Sequence, residues 1–336
     1  EGATQALAVH DSGLVAAGTF YPLFTFHVAV WNGSWTRLPL IGSLDGSPIG
    51  AISCSGDLLV WGTTLHVWQS NNTSHVDHLL RFDGLGWNPL AGEYPATALS
   101  TFGGDLVAGG DFLCMGKAWA EGVARWDGVE WSSFGAGLQL RRLLANSAWP
   151  EVKVLHEFGG QLVAGGSFTN PRHLARWDGT AWSLFGPTPE PAVSLSSTST
   201  ELVASAYPSS VMKWNGSAWD VLPVPIGASV NCVRWQNDNL YAAGVFQFGG
   251  TWASRVVRWD GTAWQPVGSG FTTISTITSA GVYTLGEFNG ELIAGGRFTA
   301  ADGNPAANVA RWNGAAWVAL GEGIVGPTDS IVYALE

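Results

Sequence analysis

The chain has 336 residues, 46% apolar and only 12% charged, with 45 glycines and 19 tryptophans, both far above ordinary usage. This excludes a disordered chain, which needs low hydrophobicity and many charges, and leaves ample material for a buried core. A net charge of −11, with lysine only at Lys117, Lys153 and Lys213, excludes the basic patch that nucleic-acid or anionic-membrane binding requires, and no apolar run is long enough for a membrane-spanning helix.

One phrase recurs along the chain. Unit 1, near 4–40, carries WNGSW from Trp31, and unit 2, near 48–90, carries FDGLGW from Phe82. Units 3 (96–138) and 4 (151–187) carry WDGVEW from Trp126 and WDGTAW from Trp177. Units 5 (192–224), 6 (228–268) and 7 (279–321) follow with WNGSAW from Trp214, WDGTAW from Trp259 and WNGAAW from Trp312. Seven units of about 48 residues thus occupy 1–326, a period that signals a solenoid, an array or a propeller.

Unit 4 displays the internal grammar. VKVLHEF reads as a first strand, Gly159-Gly160 as a turn, and QLVAGGSF as a second strand. After a loop of variable length come HLARW, an Asp178-Gly179 signal read as a two-residue hairpin turn, and AWSLFG. Four short strands per unit predict an all-β fold, a seven-bladed β-propeller of four-stranded antiparallel blades. The aromatic pair at i and i+5 then sits opposite across strands three and four and uses thirteen of the tryptophans as packing between blades. A cation precedes the first aromatic in six units, at Arg81, Arg125, Arg176, Lys213, Arg258 and Arg311, with Val30 the exception. Strand alternation puts it on the other face of the blade, held by carbonyls or a carboxylate.

The phrase at 282–320, VYTL…FNGELIAGG.FT…ANVARWNG.AW..LG, resembles a repeat of secreted and surface bacterial proteins and is similar to the kelch-like propeller of the Rax2 family. The resemblance spans nearly the whole chain and implies the propeller fold and an extracellular or cell-surface location. Units 1, 2 and 5 depart most: unit 1 lacks one hairpin residue, unit 2 has Trp61 where others have glycine, and unit 5 reads LVASAY for LVAGGSF.

Residues 327–336 end in IVYALE, which matches the first strand of a unit although unit 1 has its own first strand around Ala6–His10. The surplus strand reads either as the start of a further repeat in a longer surface protein, the favoured expectation, or as a closing strand beside unit 1. A free edge also invites self-association.

Functional candidates fall on the variable segments 62–78, 111–122, 136–150, 246–254, 267–280 and 298–307, expected as loops on one face while the short turns share the other. Trp68, Trp119, Trp149 and Trp252 lie in them and suit stacking on sugars or anchoring a protein; Arg141 and Arg142 suit a carboxylate or sulfate. His66, His75, Asp77 and His78 are weak metal candidates, because their spacing matches no strong motif. No metal or other cofactor is expected. Asn32, Asn71, Asn72 and Asn215 begin glycosylation sequons. Cys54, Cys114 and Cys232 show no paired framework. No nucleophile elbow, phosphate-binding loop or zinc-protease motif occurs. The reading is a non-catalytic extracellular module, interacting or structural, that binds a protein or glycan through the variable face, with no nucleic acid and no membrane insertion. The alternative is a polysaccharide-acting enzyme using channel carboxylates such as Glu157 and Glu287.

Overall fold

The second strand of each unit is an unbroken apolar run rather than an alternating one, so it must be covered on both faces. In unit 4, Leu162 to Gly166 are all buried. The computed structural model describes residues 9–10, 13–20, 25–38, 52–55, 58–69, 72–83, 85–90, 96–139, 151–188, 190–206, 209–225, 228–248, 250–273, 280–324 and 331–332. Unit 4 forms a sheet of Val152–Phe158, Gln161–Thr169, Arg172–Trp177 and Trp182–Leu184, in chain order and antiparallel throughout. Units 3, 5, 6 and 7 repeat it over Ala96–Ser133, Ala192–Leu222, Ser229–Thr272 and Gly281–Ala319. The strands of units 1 and 2 pair in the same manner. First strands lie side by side from 96–102 through 152–158, 192–197 and 229–236 to 281–288. This is an all-β propeller.

The first strands of units 3 to 7 each carry a bulge near the start, between Val152 and Val154 in unit 4. The glycines of the LVAGG phrase sit opposite it. A Cβ on Gly166 would overlap the Glu151 carbonyl oxygen, so no larger residue fits without moving the bulge.

The cores lie between blades. Val107, Val123 and Phe134 of unit 3 join Val152, Leu162, Phe168 and Trp177 of unit 4 in one cluster, and Val163, Leu174 and Phe185 join Leu195, Leu202 and Met212 in the next. The tryptophan pairs are cross-strand partners, as the i, i+5 spacing predicts, with ring centroids 5.3–5.6 Å apart. The second indole of a pair reaches back to the preceding blade. Trp131 Nε1 donates to Leu90 O at 2.9 Å, Trp182 to Phe134 O at 3.1 Å, Trp219 to Phe185 O at 2.7 Å and Trp317 to Val267 O at 2.9 Å. Trp35 of unit 1 donates likewise to Leu320 O of unit 7 at 3.1 Å, so the ends of the repeat meet as neighbours. The surplus strand Ile331–Val332 pairs with Gly18 and Thr19, beyond the stretch of that strand paired with Val9–His10.

Two details differ from expectation. The turn between the paired tryptophans has four residues, not two, in units 3 to 7: Trp126 faces Trp131 across Asp-Gly-Val-Glu. The side chain closes it, since Asp127 Oδ1 accepts from Val129 N at 2.8 Å and Glu130 N at 2.9 Å. Asn215 and Asn313 do the same in their units, so the motif needs the oxygen rather than the charge. Where it is Asp83, Asp127, Asp178 or Asp260, backbone N–H donors hold the carboxyl below the usual range. Among the described residues, the cation ladder finds carboxylates only where the second strand opens on one. Arg125 meets Asp105 at 3.4 Å, Lys213 meets Glu201, and Arg311 meets Glu291 at 2.5 Å, whereas Arg176 lies 5.3 Å from the Phe185 ring centre.

Candidate interaction face

The segments expected as loops between strands two and three are β-hairpins. Unit 2 pairs Leu58–Gln69 with Asn72–Phe82 out to Gln69 opposite Asn72, so most of 62–78 is strand. Unit 6 pairs out to Phe248 opposite Thr251. Unit 3 adds a small hairpin, Cys114–Met115 with Ala118–Trp119. Unit 7 adds Ala300–Ala301 with Asn304–Pro305, which also takes up the end of unit 6's last strand through Phe271 opposite Ala301. Backbone pairing removes the exposed N–H and C=O groups that a long loop would leave. The polar composition of these segments conceals it.

Among the six binding candidates, Trp119 is the one whose side chain is described. It is 67% exposed. Its hairpin is held down by other residues: Phe112, Met115 and Ala120 are each 1% exposed, and Ala120 N and Gly122 N donate to Leu113 O and Phe112 O at 2.9 and 2.8 Å. Leu113, at 46% exposed, faces solvent as well. Trp119 is therefore not a packing residue of its own hairpin. Trp68 lies opposite Thr73 and Trp252 opposite Gln247 on the unit 2 and unit 6 hairpins, with side chains outside the described residues. Trp149, Arg141 and Arg142 fall in 140–150, also outside them. The register sets His66 opposite His75, Asp77 opposite Thr64 and His78 opposite Thr63 along one hairpin, again with side chains outside the described set. Among the described residues no group of three His, Cys, Asp or Glu is placed to hold a metal.

The sequence reading missed the signal that seats these hairpins, Gly-x-Gly-apolar, just after the fourth strand in units 3 and 7 and within its far end in unit 6. It occurs as Gly135-Ala-Gly137-Leu138, Gly268-Ser-Gly270-Phe271 and Gly321-Glu-Gly323-Ile324. The apolar residue is buried each time. Leu138 N and Ile324 N donate to Glu121 O and Ala307 O at the hairpin bases, at 2.7 and 2.8 Å. Asp302 makes a further clamp: Oδ1 accepts from Ser269 N at 2.6 Å and Oδ2 from Trp317 N at 2.8 Å, tying unit 6 to unit 7.

Polar side chains of the first strands serve the open inner edge. Ser194 Oγ accepts from Val233 N at 3.2 Å and Ser196 Oγ from Trp235 N at 2.8 Å. Thr97 and Asn231 donate to Val152 O and Val282 O of the next blade at 2.5 and 2.6 Å. These contacts stitch neighbouring inner strands. His156 Nε2 lies 2.8 Å from Ser197 Oγ across the unit 4–5 boundary. Burial, helped by the Arg234 charge, pushes its pKa down to about 4, so the ring is neutral at pH 7. Burial pushes the Cys232 thiol up to about 12, which removes it as a nucleophile. Glu157 and Glu287 do occupy equivalent registers, opposite Leu162 and Leu292, beside the short turns at 159–160 and 289–290; Glu157 is exposed.

No family model and no curated protein matches the chain. Solved structures do. The WD40 β-propeller domain of Doa1 is similar at 13% identity, with 88% of this chain and 90% of that one covered and a TM-score of 0.53. BamB from Moraxella catarrhalis gives 11%, 87%, 90% and 0.52 in the same order, and an inactive virginiamycin B lyase from Staphylococcus aureus gives 12%, 86%, 93% and 0.53. At such identities the likeness carries the propeller fold alone.

Proposed function

We propose that the protein is a non-catalytic interaction module of the cell exterior that binds a protein or glycan through its strand 2–3 hairpin face. The observation that carries the reading is Trp119, 67% exposed on a hairpin anchored by other side chains. A large indole left in water at an ordered site costs solubility and supplies a rigid, amphipathic stacking surface. The extracellular setting rests on the resemblance to surface-protein repeats. We further propose that the seven units make seven blades in a closed ring; the Trp35–Leu320 hydrogen bond, which repeats the bond of other seams, supports that count.

A glycan array, and a cross-linking screen against surface proteins of the source cell, test the reading. Binding that is abolished by Trp119→Ala, or by the combined alanine variant at Trp68, Trp119, Trp149 and Trp252, bears it out. Binding that persists in both variants refutes the hairpin face as the site.

A further inference from the structure

The opposite face, formed by the short turns, carries a cleft of about 430 Å3 at the seam between units 3 and 4, within the roughly 300–1,000 Å3 typical of small-molecule sites. Phe102, Phe134 and Trp177 wall it, and Asp105, Arg125 and Ser133 supply its polar side chains. The ring of Phe134 stands edge-on to Trp177 at 5.0 Å and 6.1 Å from Phe102, so the aromatic wall is fixed. Arg125 Nε lies 3.4 Å from Asp105 Oδ2 and the side chain is half exposed; its guanidinium carbon lies 5.9 Å from the Phe134 ring centre. Its charge also reaches Asp127, whose carboxyl it helps hold below the usual range.

The seam differs from its repeats at one register position. The fourth-strand residue opposite the position before the third-strand cation is Ser133 in unit 3, facing Ala124, but Leu184 facing Ala175, Val221 facing Met212, Pro266 facing Val257 and Ala319 facing Ala310 in units 4 to 7. Leu184 is 47% exposed and Val221 62%, so at those seams an aliphatic side chain stands where unit 3 leaves a small hydroxyl. Unit 4 also replaces the acid at this site, since Gln161 stands where unit 3 has Asp105.

We propose that this cleft binds a uronic acid residue, a carboxylate-bearing sugar ring. The half-exposed guanidinium of Arg125 suits the carboxylate in bidentate geometry. Asp105 and Ser133 accept from ring hydroxyls, which a simple carboxylate lacks, and the apolar face of the ring lies against Trp177 and Phe134. The site is separate from the hairpin face, so each can fail without the other.

The test is calorimetric titration of the full chain with tri-galacturonic acid, with its neutral galactose counterpart and sodium acetate as controls. Binding of the uronate in preference to both controls is expected. A loss of at least tenfold is expected for Arg125→Gln, and also for Ser133→Leu, which imports the residue unit 4 already tolerates there and so preserves the fold. Trp119→Ala should leave this binding unchanged. The proposal is overturned by no binding at millimolar uronate, by acetate or the neutral sugar binding as well, by Arg125→Gln or Ser133→Leu binding like wild type, or by loss of binding in Trp119→Ala.

Discussion

Trp264 and Trp317 occupy the same place in adjacent units, and both are almost wholly buried, at 5% and 0% exposure. They differ in one atom's surroundings. Trp317 Nε1 donates to Val267 O at 2.9 Å, while Trp264 Nε1 has no hydrogen-bond partner among the described residues. Replacing either by phenylalanine removes the same ring atoms and creates a similar cavity, so the packing loss largely cancels in the comparison. Trp317→Phe also strands a buried carbonyl, at a cost of roughly 1–3 kcal/mol, whereas Trp264→Phe removes a donor that was already unmatched. With an unfolding entropy of about 2.1 cal/mol/K per residue, a 2 kcal/mol difference over the whole chain is about 3 °C in Tm. Thermal melts followed by far-UV circular dichroism, which the lost indole does not dominate, should therefore place Trp317→Phe below Trp264→Phe by about that margin. Equal melting temperatures for the two variants would refute the idea that the indole-to-carbonyl bond stabilises the seam.

Other outcomes follow from single side chains. His156 has a folded pKa of about 4 against an ordinary 6.5, so its contribution to stability is complete above about pH 6.5 and is lost as pH falls toward 4. His156→Gln should flatten that part of the stability profile by roughly 3 kcal/mol, read from urea midpoints at successive pH values. Asp302→Ala should cost about 2 kcal/mol in denaturant unfolding by freeing Trp317 N and Ser269 N, and Asp302→Asn should recover at most about half of it, since Asn tolerates the local φ of 49° but keeps one acceptor and turns its NH2 toward the other N–H. Gly321→Ala should lower Tm more than Gly314→Ala: both have positive φ, but only at 321 would a Cβ overlap a ring, that of Trp31 in unit 1. Trp119→Ala should leave Tm within about 1 °C of wild type, as an exposed side chain away from the core should.

The repeat was legible because its causes are local. The aromatic spacing, the Asp-Gly turns and the LVAGG run each follow from strand period, turn geometry and two-sided burial within one unit. The Asp turn was misread by two residues because Asp-Gly is shared by two-residue hairpins and by the four-residue, side-chain-closed turn found here, and only the partner register of Trp126 and Trp131 separates them. The hairpins at 111–122 and 298–307 read as loops in the sequence because their strands are two residues long and stabilised by the Gly-x-Gly segments that follow the fourth strand. Trp119 was identified from its place in a variable segment, but exposure distinguishes it from Trp131, and both are tryptophans in sequence.

By itself the amino-acid sequence determined the strand grammar, the all-β class and the propeller architecture, because two-sided strand burial and turn chemistry act within a few residues. The tertiary structure decided which indoles find a carbonyl, where the surplus strand pairs, and that Ser133 and Arg125 line one cleft with Trp177 of the next unit. Those outcomes depend on distances between blades, set by how whole sheets pack against one another, and the residue pattern within one unit does not give those distances.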